Sequence, residues 1–69
     1  MANKRKIGDT DEWGFTLLKR SGRVELYQTP KGYYTIYLTV NEDEYLTVVR
    51  KKLEKAAKLF NSICDMLSH

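Results

Sequence analysis

One cysteine, one proline, one tryptophan and one histidine occur in a chain of 69 residues, and each scarcity excludes something. A single cysteine cannot close an intrachain disulfide, and with one histidine beside it the usual zinc ligand sets cannot be assembled. No apolar run is long enough to span a bilayer, and no apolar segment follows the basic start as it would in a signal peptide. The sequence is therefore read as that of a cytoplasmic protein. The glycines Gly8, Gly14, Gly22 and Gly32 are dispersed and build no phosphate-cradling loop. Sixty-nine residues suit one small domain, and they leave little room for a cleft between domains or a nucleotide-binding crossover fold.

Charge is present in both signs. Lys+Arg number 12 against 9 Asp+Glu, so the net +3 permits an acidic partner without requiring one. The basic cluster Lys4, Arg5 and Lys6 is followed almost directly by Asp9, Asp11 and Glu12, a mixture that favours solubility. These acids lack the glycine and terminal glutamate of a calcium loop, and neither a metal nor a cofactor is expected. Residues 1–12 show no strand or helix period and read as a flexible polar tail. Residues 13–69 read as a single β-β-β-α domain.

Alternation predicts three strands. Residues 13–20 carry Trp13, Phe15 and Leu17 on one side, and Ser21-Gly22 is a two-residue turn candidate before residues 23–28. Thr29-Pro30-Lys31-Gly32 is the next turn, with proline presetting φ and glycine free to take a positive one. Residues 33–40 then alternate clearly, with β-branched and aromatic side chains throughout. Closing the hairpins at Arg20–Arg23 and Thr29–Tyr33 places Phe15, Leu17, Val24, Leu26, Tyr34, Ile36 and Leu38 on one face.

Asn41 followed by Glu42, Asp43 and Glu44 resembles a helix N-cap with acids at the positive end of the dipole. Tyr45, Val49, Leu53, Ala56, Phe60, Ile63 and Leu67 recur at helical spacing. The expected architecture is thus α+β, a three-stranded antiparallel meander followed by one long helix, from about residue 42 to about residue 67, packed on one sheet face. Cys64 reads as a core side chain and His69 has no assigned role. No catalytic constellation is visible.

The other sheet face carries the functional reading. In this register Leu18, Arg20, Arg23, Tyr27 and Tyr37 point away from the helix, with Tyr33 near the second turn. Tyrosine and arginine offer large area and hydrogen bonds at modest entropic cost, which suits a partner-binding surface. The expected function is a non-enzymatic binding or inhibitor module, of the kind phages and mobile elements use, that occludes a macromolecular partner. A protein is favoured over a nucleic acid. The alternative is a DNA- or RNA-binding module using the same face with Lys4, Arg5 and Lys6, joined by Arg50, Lys51 and Lys58 from the helix. Val48, Leu59 and Met66 fall about 60–100° from the main helical stripe. Either Trp13 or the start of the chain covers that side, or a second subunit does, making a homodimer.

Overall fold

Turn residues set the topology. In the computed structural model, which describes residues 6–68, three turns fold the chain into strands β1 (Thr16–Ser21), β2 (Val24–Gln28), β3 (Tyr34–Thr39) and β4 (Tyr45–Arg50), followed by one helix, α1 (Leu53–Leu67). The strands lie in the order β1-β2-β3-β4 with all neighbours antiparallel. The α+β class and the C-terminal helix match the sequence expectation. The sheet has four strands, not three.

The second hairpin closes as its turn chemistry requires. Thr29 donates to the Tyr33 carbonyl at 2.8 Å, and Gly32, at φ 88°, donates to the Thr29 carbonyl at 3.0 Å. Val24 then faces Leu38, Leu26 faces Ile36 and Gln28 faces Tyr34, the predicted register.

The first hairpin differs. Ser21 pairs with Val24, so the turn residues are Gly22 and Arg23. Gly22 has φ 59° and no non-glycine residue among the described ones has a positive φ, the arrangement of a type II′ turn with glycine first. Further along, Lys19 faces Leu26 but Leu17 faces Tyr27, with a β-bulge between them. The extra residue swaps faces for everything N-terminal to it. Leu18 consequently packs against the helix-side core, correcting its expected place on the open face. Leu17 pairs with Tyr27 on the face away from the helix and is fully buried there. The bulge thus lets two consecutive leucines be sheltered on opposite sides of one sheet.

The largest correction concerns residues 41–50. Asn41 Oδ1 accepts the N–H groups of Asp43 at 2.9 Å and Glu44 at 3.1 Å, and its amide donates to Glu44 Oε1 at 2.6 Å. That is the chemistry of an N-cap, here closing the turn between β3 and β4. Asn41→Ala should cost about 1 kcal/mol, read as a lower urea midpoint with an unchanged slope. The following Tyr45–Arg50 segment, with Thr47, Val48 and Val49 β-branched, is a strand paired along its whole length with β3. The helix begins only after Lys52.

The core lies between sheet and helix. Val24, Leu26 and Ile36 meet Ala56 and Phe60, with Leu18, Tyr34, Leu38, Leu59, Ile63 and Cys64 packed around them. The Lys19 ammonium, facing the helix from β1, sits 5.7 Å from the Phe60 ring centroid. Its aliphatic stem shields the core while its charge stays at the rim.

Residues 8–10 run antiparallel beside β1. Gly8 donates to the Leu17 carbonyl at 2.7 Å, Leu17 donates to the Asp9 carbonyl at 3.0 Å, and Thr10 pairs with Thr16. The Thr10 and Thr16 hydroxyls meet at 2.8 Å.

Candidate functional site

Opposite the helix, four rings cross the sheet in sequence. Phe15 meets Tyr27 edge-on at 6.4 Å, Tyr27 meets Tyr37 edge-on at 5.4 Å, and Tyr37 stacks on Tyr45 at 5.4 Å. The register explains the row. Tyr27, on β2, lies diagonal to Tyr37 on β3, and Tyr37 diagonal to Tyr45 on β4, within reach of large side chains. Edge-on and offset contacts suit the ring quadrupoles, so the rings hold one another in fixed orientations.

A rigid turn places the tryptophan at one end of this row. Asp11 Oδ1 accepts the N–H groups of Trp13 and Phe15, each at 2.9 Å, while Gly14 donates to the Asp11 carbonyl at 3.0 Å. Gly14 has φ 85°, which favours glycine, and a Cβ there would crowd Pro30 Cγ at 3.1 Å, so the turn rests closely against the β2–β3 turn. Trp13 is left 68% exposed. With Asp11, Phe15, Glu25, Tyr27 and Tyr37 it lines a shallow hollow. On the other side of Phe15 a second, mostly apolar hollow is lined by Pro30, Tyr33, Thr35 and Val49.

Among the described residues, an ion pair and a phenol hydrogen bond meet at Glu25 beside the row. Arg20 reaches Glu25 Oε2 at 3.6 Å, and Glu25 Oε1 accepts the Tyr27 hydroxyl at 2.9 Å. The face thus offers aromatic area framed by the Arg20–Glu25 ion pair and the Tyr27–Glu25 hydrogen bond.

The expected site residues are distributed as follows. Tyr37 lies at the centre of the row, Tyr33 borders the second hollow and Arg20 stands beside Glu25. Tyr27 is in the row but only 8% exposed, so it holds the row together more than it meets solvent. Arg23 sits at the far hairpin tip, by a hollow shared with Cys64 and Leu67. Leu18 is on the helix side.

Lys6 is exposed near the β1 edge, Arg50 ends β4 opposite Tyr34, Lys51 lies in the link between β4 and α1, and Lys58 is exposed on the helix. These cations are not brought to the aromatic face. Lys4 and Arg5 lie outside the described residues, as does His69. Of the side stripe, Val48 lies in β4, Leu59 is half-buried against the core and Met66 is exposed near the helix end.

Sequence reasoning missed Trp13 and Phe15, assigned to the helix side, and Tyr45, assigned to the helix itself. Asp11 two residues before Trp13 and four before Phe15 was the available signal, since aspartate commonly caps such turns. Among the described residues no group of three or more His, Cys, Asp and Glu side chains converges on a metal site. No helix among them is long and apolar enough to cross a membrane.

No known family matches the chain in a scan of family models, and searches of curated proteins and of solved structures return no match.

Proposed function

We propose that the chain is a non-enzymatic protein-binding module that occludes its partner with the sheet face opposite the helix. The observation that carries this reading is the ordered aromatic row ending in an exposed tryptophan. A sheet covered by helix on one side is ordinarily polar on the other. Here the uncovered side presents Trp13, Phe15, Tyr37 and Tyr45 around two hollows. Trp and Tyr are the side chains most enriched among residues that dominate binding energy, and rings already held in place lose little further entropy on docking. Arg20 and Glu25, beside the row, supply polar contacts for a rim.

A protein partner is favoured over a nucleic acid because, among the described residues, few cations border the rings: Lys31 lines the second hollow and Arg20 stands beside Glu25. Binding to DNA or RNA needs phosphate contacts gathered along one track, with stacking rings between them. Here Lys58 and Arg50 lie off the ring face, and Arg20 is turned toward Glu25.

The test is affinity capture on the immobilised full chain, with nuclease treatment and a salt series. Capture that resists nuclease, changes little between 50 and 200 mM salt and is lost in Trp13→Ala supports the proposal. Capture abolished by nuclease, or binding to random-sequence duplex or single strand that falls steeply over that salt range, would transfer the function to nucleic acid.

A further inference from the structure

We infer that the free edge of the sheet is a self-association site, at which β4 pairs antiparallel with β4 of a second copy of this chain about a two-fold axis at Thr47.

The two edges of the sheet are not alike. Residues 8–10 lie along the start of β1 at Thr16 and Leu17 and a bulge breaks it thereafter, whereas β4 is regular throughout and is paired on one side only among the described residues. The direction of its backbone groups follows from two hydrogen bonds. Thr39 donates to the Arg23 carbonyl, across to the β2 side, and Val40 donates to the Glu44 carbonyl. Alternation along an antiparallel ladder then aims the N–H and C=O groups of Leu46, Val48 and Arg50 at β3, and those of Tyr45, Thr47 and Val49 outward. The Arg50 guanidinium donating to the Val49 carbonyl at 2.9 Å agrees with that assignment.

Edge strands in monomers are usually blunted by proline, bulges, inward charges or brevity. β4 has six residues, YLTVVR, with an unbroken register against β3 and no proline. Tyr45 is 61%, Leu46 58% and Val49 52% exposed, so both faces of the strand present apolar surface.

The occupant is identified by self-complementarity. Two sheets joined edge to edge by a two-fold axis keep their helices on the same side, so residues of like parity must face each other. Centring on Thr47 sets Tyr45 against Val49 of the second copy, Leu46 against its Val48, and Thr47 against its Thr47. Glu44 then faces Arg50 of the second copy at both ends. Every apolar side chain meets an apolar one and every charge meets its opposite. The adjacent registers do worse. Centring on Val48 puts Leu46 against Arg50, and centring on Leu46 puts Glu44 against Val48. In the favoured register the outward groups of Tyr45, Thr47 and Val49 satisfy one another across the seam once the Arg50 guanidinium leaves the Val49 carbonyl for Glu44 of the second copy.

A seam of two six-residue strands lies at the small end of the interface range. The dimer should therefore be reversible, with Kd on the order of micromolar.

Analytical ultracentrifugation of the full chain tests this. The apparent mass should rise from 8.1 kDa toward twice that value across micromolar concentrations. Arg50→Glu sets carboxylates against carboxylates at both ends and should raise Kd by about tenfold or more. The double variant Glu44→Arg/Arg50→Glu reverses both charges and should restore pairing to within about threefold of the original. Thr47→Pro removes an outward N–H without touching the β3 ladder, so it should leave a folded monomer by circular dichroism. A chain that stays at 8.1 kDa up to millimolar concentration would overturn the inference. So would a dimer indifferent to these variants, or a double variant that fails to recover. Protection of the Thr47 amide that appears only when a different polypeptide is added would assign the edge to that partner and likewise overturn self-pairing.

Discussion

Phe60→Ala should lower the unfolding free energy by about 3–5 kcal/mol. Phe60 is 4% exposed, the largest side chain that the helix commits to the core, and it meets Val24, Leu26 and Ile36 of the sheet. Two of its neighbours cannot fill the space. Ala56 on the same helix face has no side chain to spare, and Lys19, whose charge lies over the ring, cannot follow it inward without desolvating an ammonium. A domain of this length holds only about 3–5 kcal/mol in a single core. The variant is thus expected to lose its cooperative urea transition at 25 °C. Met66→Ala, on an exposed side chain of the same helix, should stay within about 0.5 kcal/mol. Equal and small effects from both variants would mean that the helix contributes little to the core.

Trp13→Ala and Tyr37→Ala should each weaken partner binding by about 2 kcal/mol, or roughly thirtyfold. Thermal stability should be nearly unchanged for Trp13, whose side chain is mostly exposed. Tyr37 stacks on Tyr45 and touches Tyr27, so its truncation also costs folding stability, about 0.5–1.5 kcal/mol for each of these ring pairs. Titration calorimetry of the captured partner, with a melting curve for each variant, separates the two effects. Tyr27→Ala is a poor probe because the ring is buried and its hydroxyl bonds Glu25. Tyr27→Phe keeps the ring row and removes one hydrogen bond, so binding should hold. Full affinity in Trp13→Ala would remove the aromatic face as the docking surface.

The legible and illegible parts of this sequence divide along a physical line. The second hairpin was readable because proline and glycine occupy the positions their φ values demand, and only one register is compatible with them. The helical stripe of Ala56, Phe60 and Ile63 was readable for a similar reason, since a helix period repeats over several turns. β4 was not readable. Asn41 with Glu44 satisfies the same backbone donors whether the chain goes on to coil or to extend, and Tyr45, Val49 and Leu53 fit a four-residue step by coincidence. The β-branched run Thr47-Val48-Val49 was the contrary signal, and pairing with β3 decided the outcome. The bulge was likewise hidden. Two adjacent leucines can be sheltered on opposite faces only once something borders each, and what borders Leu17 is a segment whose polarity suggested solvent. That error carried Phe15 to the wrong face, and with it one end of the candidate surface.

One asymmetry of the sheet limits what strand pairing can build. Because residues 8–10 flank the start of β1 at Thr16 and Leu17, and the bulge with the charged Lys19 and Arg20 blunts the remainder, β4 is the one long regular edge among the described residues, a sticking valence of one. Joining through β4 saturates that valence in a single step. Growth by this route stops at a pair, where a sheet bare on both margins would propagate into a fibre.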